Sequence, residues 1–204
     1  RSRLVICSSN HAKPMFPKAL GGNIEVQLEG FDFDIGTNEA GEAPDRQRPF
    51  TIGFSARDLS SSKGFETYVR LADMLLKRGI DAEFMALGGA DGTTYGYEQQ
   101  WVDRKYKGEV ATFRDHLMKV YPRVAKVMQF PGKLPYEDFA RKLSEVDLFL
   151  YPLKFGVANW GLVEILGRGG CVLAPDRGYA SELIIDGVNG LLLPDDDEAW
   201  IEAI

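Results

Sequence analysis

Cysteine and histidine are nearly absent from this chain; each occurs twice in 204 residues. Cys7 and Cys171 stand far apart, with no CxxC or CxxH, which argues against a disulfide scaffold and against a zinc site. His11 and His116 have no nearby catalytic partners, and His116 falls in a helical pattern where it reads as a surface or boundary residue, so a Ser–His–Asp hydrolase is not expected. No apolar run approaches the ~20 residues that a membrane-crossing helix needs, and no signal peptide is visible. Basic charge is not in excess: 24 Lys plus Arg face 30 Asp plus Glu, a formal charge of −6, which argues against general nucleic-acid binding. The usual nucleotide fingerprints are missing too. There is no GxxxxGK[ST], no GxGxxG after the first strand, and no GxSxG elbow.

What remains is an ordinary globular composition, 45 % apolar and 26 % charged. After position 50, short apolar runs alternate with helical patterns. Strands are expected at Phe50–Ser55, Ala82–Leu87, Lys126–Phe130, Val146–Tyr151, Cys171–Ala174 and Gly190–Leu193. Helices are expected at Lys63–Arg78, Val110–Tyr121, Pro135–Ser144, Gly161–Leu166, Ala180–Ile184 and Asp195–Ile204. Strands that are apolar throughout fit a parallel sheet covered on both faces. The alternation therefore predicts an α/β, Rossmann-like doubly wound parallel sheet of about six strands. Such sheets bind ligands beyond the carboxyl ends of their strands, at the switch point of strand order.

Two segments lie outside the repeat. Residues 35–49 are polar with Gly and Pro and read as a linker; residues 1–34, with strands near Leu4–Cys7 and Ile24–Leu28, read as the tail of a preceding N-terminal domain. The chain starts at Arg1 and stops inside a helical pattern, which reads as a piece of a longer protein; residues 50–204 then form the main domain, truncated at its C-terminal end. The stretch 88–109 is long for a strand–helix loop and aromatic-rich, which suits either a functional loop or a self-packed surface insertion. Asp195-Asp196-Asp197 opens a helix, where acidic residues are favoured by the dipole.

Candidate chemistry gathers in the strand-end loops. Arg57 follows the first strand, and Lys63-Gly64 opens the next helix. Two cations beside a helix N-terminus suit a phosphate or pyrophosphate, although an exposed polar loop would look the same. Glu164, early in an otherwise apolar helix, is placed either to accept sugar hydroxyls or simply where the dipole favours acid.

In order along the chain, six stretches resemble the C-terminal half of a family 4 (group 1) glycosyltransferase of the GT-B fold. Ala56-Arg57-Asp58-Leu59-Ser60-Ser61-Ser62-Lys63-Gly64 resembles G-R-L-x-x-x-K-G with Asp58 as one extra residue. Phe130-Pro131-Gly132-Lys133-Leu134 and Val146-Asp147-Leu148-Phe149-Leu150-Tyr151-Pro152 are similar to F-x-G-x-V/L and A-D-V-F-V-x-P. Gly161 through Val172 resembles G-L-x-x-x-E-A-M-A-x-G-x-P-V, with Cys171 at the family's Pro and read as a small apolar thiol opening a strand. Asp176 through Leu191 resembles D-x-G-G-x-x-E-x-I-x-D-G-x-N-G-L, and Glu29-Gly30-Phe31-Asp32 resembles the stretch before the interdomain linker.

The resemblance implies a domain that binds a nucleotide-diphosphate sugar as donor for retaining glycosyl transfer, with no metal and no cofactor. Arg57 and Lys63 would be catalytic, holding the pyrophosphate and its developing charge. Phe130, Gly132 and Lys133 would border the base. Backbone N–H groups around Asn159 and Trp160, with Gly161 and Leu162 behind them, would face phosphate or sugar, and Glu164 would hold the ribose. The partners implied are the nucleotide sugar, an acceptor of unknown class (glycan, lipid, protein or small molecule) and an N-terminal domain of the same polypeptide that carries the acceptor site. The expected location is cytoplasmic, with peripheral membrane attachment left to the missing half, and the fragment alone is expected to be inactive. One departure stands out: the first Glu of the family's E-x7-E motif is Gly156. The alternative it opens is a non-catalytic, degenerate nucleotide-sugar or carbohydrate-binding module. An epimerase or phosphorylase on the same fold is a third reading, with no motif behind it.

Overall fold

The computed structural model describes residues 4–28, 30, 48–90, 96–154, 156 and 158–204. Six strands form one parallel sheet: β3 (Thr51–Asp58), β4 (Glu83–Gly89), β5 (Met128–Gly132), β6 (Leu148–Leu150), β7 (Val172–Pro175) and β8 (Leu191–Leu193). Their spatial order is β5-β4-β3-β6-β7-β8, so the chain runs outward from β3 on one side and then restarts beside it with β6. This is the doubly wound order expected from the alternation, and its switch point lies between β3 and β6.

Strand alternation makes both faces apolar. Ile52, Phe54, Phe84, Ala86, Leu148 and Leu150 pack into one core with helices α1 (Phe65–Lys77), α2 (Glu98–Tyr106), α3 (Phe113–Val120) and α7 (Asp197–Ala203). Met85, Leu87, Phe149, Val172 and Ala174 pack into the other, with α4 (Tyr136–Ser144), α5 (Trp160–Gly167) and α6 (Ala180–Leu183). The period-2 alternation of a strand explains why neighbours such as Phe84 and Met85 serve opposite cores. Tyr68 of α1 is fully buried, and its hydroxyl donates to the Ile52 and Met85 carbonyls at 2.9 and 3.1 Å. Burial pushes that phenol far above its ordinary range.

At the sheet's amino end, Asp147 ties β3 to β6. Its carboxylate accepts the Thr51 N–H at 2.8 Å and a two-armed donation from Arg48 at 2.6 and 2.8 Å. At the opposite end the two strand-end loops touch. Gly64, with φ +88°, precedes α1, and a Cβ there would sit 2.0 Å from the Pro152 carbonyl oxygen. The same loops also meet where the Lys154 N–H donates to the Ser62 carbonyl at 3.2 Å.

Before the linker region, β1 (Val5–Cys7) and β2 (Ile24–Val26) form a small parallel sheet around Cys7, Ala12 and Ile24. It is fastened to the larger sheet's domain by Glu182, whose carboxylate accepts from the Asn10 N–H at 2.8 Å and the His11 N–H at 2.6 Å. Most of the expected linker, residues 35–47, lies outside the described residues. Within 88–109 the structure has a helix, α2, where the sequence suggested only a loop. Val102 is its one buried residue, and Trp101, Val102 and Tyr106 make no sustained helical stripe, so nothing in the sequence announced it. Two further expectations need correcting. His116 is buried, with its Nδ1 2.8 Å from the Tyr106 hydroxyl and its ring edge-on to Trp101. Cys171 is exposed and precedes β7 rather than opening it.

Candidate functional site

A cleft of about 580 Å³ opens at the carboxyl ends of β3, β4 and β5 and the start of α5. Arg57 reaches it from the end of β3 and Lys63 from the loop that follows, Gly132 and Lys133 from the end of β5, and Asn159, Trp160, Gly161 and Glu164 from α5 and its cap. This is the crevice that the switch point predicts. Phe130 and Leu162 are not among its lining residues. Phe130 packs edge-on to Phe65, 6.4 Å between ring centroids, and Leu162 is fully buried in the core beneath α5. The sequence reading missed Ser55, Ala56, Gly88, Leu134, Phe139 and Ala158 of the lining. Gly88, in a glycine-rich strand end, and Ala56 and Leu134, within stretches that carry the resemblance, had a sequence signal; Ser55, Phe139 and Ala158 lie outside those stretches.

Local chemistry shapes each wall. Asn159 is the N-cap of α5: its Oδ1 accepts the Gly161 N–H at 2.9 Å, and its carbonyl accepts the Leu162 N–H at 3.1 Å. Those two N–H groups are therefore engaged within the helix start, while Gly161 itself lines the cleft. Trp160, the first residue of α5, is 65 % exposed at the cleft wall. Glu164 sits one turn further in. Arg168, four residues on, donates to its Oε1 at 3.3 and 3.4 Å and to the Tyr136 hydroxyl at 3.1 Å. Burial, with the Glu164 carboxylate beside it, raises the Tyr136 phenol above its ordinary pKa.

Charge in the cleft runs against the chain as a whole. Arg57, Lys63 and Lys133 line it, and Glu164, the one carboxylate among the described lining residues, is paired with Arg168. A chain of formal charge −6 thus presents a cationic cleft, which favours an anionic ligand. Gly156, at the position of the first motif Glu, is not a lining residue and stands beside Leu153. Among the described residues no His, Cys, Asp and Glu cluster is arranged to hold a metal ion, and no helix is long and apolar enough to cross a membrane.

Solved structures share this architecture. Sucrose-phosphate synthase (tll1590) from Thermosynechococcus elongatus superposes with a TM-score of 0.74 at 18 % identity, over 100 % of this chain and 48 % of that one. Anabaena Alr3699/HepE in complex with UDP-glucose gives 0.71 at 22 % identity, over 99 % and 53 %. The C-terminal domain of the group 1 glycosyl transferase LpcC from Francisella tularensis gives 0.61 at 17 % identity, over 85 % of both chains. This chain thus spans about half the length of the first two and matches the third as a domain. No curated protein sequence matches it. The family described as "Glycosyl transferases group 1" matches residues 49–204, which hold the whole of the large sheet and its helices, and the chain belongs to that family.

Proposed function

We propose that the cleft binds a nucleoside-diphosphate sugar and that the chain is the donor half of a metal-independent, retaining glycosyltransferase of family 4. The observation that carries this reading is the meeting of Arg57, Lys63 and Lys133 with Glu164 at the switch point of the sheet. The neighbour crystallised with UDP-glucose supports a nucleotide sugar as the ligand class.

In this reading Arg57 and Lys63 grip the pyrophosphate. As the bond from the sugar's anomeric carbon to the β-phosphate oxygen breaks, negative charge grows on that oxygen, and the two cations stabilise it without a metal. Glu164, oriented by Arg168, accepts the ribose hydroxyls. Gly132 and Lys133 border the base, and the exposed start of α5 at Trp160 faces the phosphates or sugar. Phe130 acts through packing beneath this wall, and Leu162 holds α5 in place. The acceptor (a glycan, lipid, protein or small molecule) would bind chiefly on an N-terminal domain of the same polypeptide, for which residues 1–34 are the tail and 35–49 the linker. The reaction would need no cofactor.

The test is calorimetric titration with nucleoside diphosphates. Arg57→Ala or Lys63→Ala is expected to weaken binding by about 1–3 kcal/mol, the scale of a charge-assisted hydrogen bond. Unchanged affinity in both variants would remove the pyrophosphate assignment. A second reading, a binding module without transfer, is favoured by Gly156. It predicts that the full-length protein binds the nucleotide sugar yet transfers no sugar to any acceptor, and sugar transfer by that protein would exclude it.

A further inference from the structure

Beside the cleft lies a charge that the proposed chemistry does not use. Asp58, the last residue of β3, is 3 % exposed, and neither carboxylate oxygen accepts a hydrogen bond from the described residues. Buried polar atoms nearly always find a partner, and an ionised carboxylate left without one costs stability. Arg57 Nε stands 3.7 Å from Asp58 Oδ2. That separation is too long for a hydrogen bond and short enough for attraction between a buried carboxylate and a guanidinium that is still in contact with solvent.

The backbone explains how the two neighbours come to lie on opposite sides of the surface. Along β3 and β4, Ser55 pairs with Leu87 and Asp58 pairs with Gly89. Ala56 and Arg57 therefore stand opposite Gly88 alone, which is the count of a β-bulge. Gly88, with φ +150°, accommodates it; a Cβ there would lie 2.4 Å from the Ala56 carbonyl oxygen. A strand normally sends successive side chains to opposite faces, and a bulge re-aims them. Here Arg57 emerges into the cleft with its side chain 58 % exposed, while Asp58 turns inward. Asp58 is also the one residue by which this stretch exceeds the G-R-L-x-x-x-K-G pattern.

We infer that Asp58 is a positioning residue: lodged by the β3 bulge, its buried carboxylate orients the Arg57 guanidinium into the cleft for an anionic ligand. The inference rests on the reading of Arg57 as a diphosphate ligand. A long exposed arginine has many rotamers, and a fixed negative charge beside its Nε selects those that present the outer N–H groups forward. The stability cost of the buried charge is then retained for function.

Calorimetric titration with UDP, GDP, ADP and TDP, together with thermal unfolding, tests this on the unaltered chain, Asp58→Asn, Arg57→Ala and the double variant. Expected is a fall of fivefold or more in the affinity of the tightest diphosphate for Asp58→Asn, with an unfolding midpoint equal to or above that of the unaltered chain. In the Arg57→Ala background, Asp58→Asn should change affinity less than twofold. A purely structural Asp58 would lower the midpoint and give additive losses, which overturns the inference. Asp58→Ser, smaller and uncharged, gives the same comparison if the amide does not fit. If Arg57→Ala weakens binding while both Asp58 variants leave it within twofold, the positioning role falls and the donor reading stands. If Arg57→Ala binds as the unaltered chain does, the positioning role falls with the Arg57 assignment; if no diphosphate binds the unaltered chain, both readings fall.

Discussion

Replacing Gly64 by alanine should damage both the fold and the cleft, and the structure sets the size of the effect. The residue has φ +88°, where a non-glycine residue pays about 1–2 kcal/mol. That term alone is ordinary. The second term comes from Pro152, whose carbonyl oxygen would stand 2.0 Å from the new Cβ. Carbon and oxygen do not approach closer than about 3 Å, so the loops after β3 and β6 must part by roughly 1 Å. These loops meet at the switch point, and the bond from Lys154 N–H to the Ser62 carbonyl would loosen with them. A total loss of about 3–4 kcal/mol follows, within the range of overpacking plus backbone strain. Gly79 supplies the control. Its φ is +76°, and a Cβ there would meet nothing within 4 Å, so Gly79→Ala should cost about 1–2 kcal/mol, the strain alone. Urea unfolding of both variants measures the difference, and nucleotide titration shows whether the cleft suffers with Gly64→Ala only. Equal losses for the two variants, or a Gly64→Ala protein with stability and affinity unchanged, would refute the close-contact argument.

At the other end of the sheet, Asp147→Ala removes the acceptor of the Thr51 N–H and of both Arg48 arms, groups that are mostly buried. It should cost about 2 kcal/mol in urea unfolding and leave nucleotide affinity alone, because the cleft lies at the opposite strand ends; a fall in affinity larger than in stability would contradict this. Acid should destabilise the protein in two stages. Burial and the Lys105 charge lower the His116 pKa, so below about pH 6.5 the unfolded chain takes up a proton that the folded one resists. Three carboxyls are also lowered in the fold, so their stabilisation is full above the ordinary carboxyl range and is lost below about pH 4. For Asp197 the chief cause is the Arg70 hydrogen bond. For Asp115 and Glu182 burial raises the pKa, and donors from Thr112 and Arg114, and from His11 and Asn10, outweigh it. Urea midpoints measured from pH 8 to pH 3 should fall in both windows, and a midpoint that stays flat from pH 7 to pH 5 would exclude the His116 part.

The sheet was legible because its strands are short and apolar throughout, and helix α1 announces itself by apolar spacing from Phe65 to Leu76. The doubly wound architecture, and a cleft at the carboxyl ends of the strands, then followed from the alternation; the strand order itself is seen only in the structure. Less was legible where tertiary contacts decide. Helix α2 has little apolar periodicity and is held by Val102 and by its packing on α3. His116 looks polar in the sequence, yet Tyr106, Trp101 and Phe113 close around its ring. Phe130 and Leu162 are close to the cleft along the chain, but alternation along β5 and the inner face of α5 direct their side chains into packing. The β3 bulge could be suspected from one surplus residue. That the surplus lodges a buried carboxylate beside Arg57 depends on the pairing with β4, which only the structure shows.

The most direct measurement is calorimetric titration of this chain with UDP, GDP, ADP and TDP and their common sugar conjugates, first without metal and then with Mg²⁺. The account predicts saturable binding of one nucleotide without metal, tightened by one sugar, and weakened about 5- to 150-fold by Arg57→Ala or Lys63→Ala. Absence of binding by every nucleotide, or binding that neither substitution alters, would contradict it.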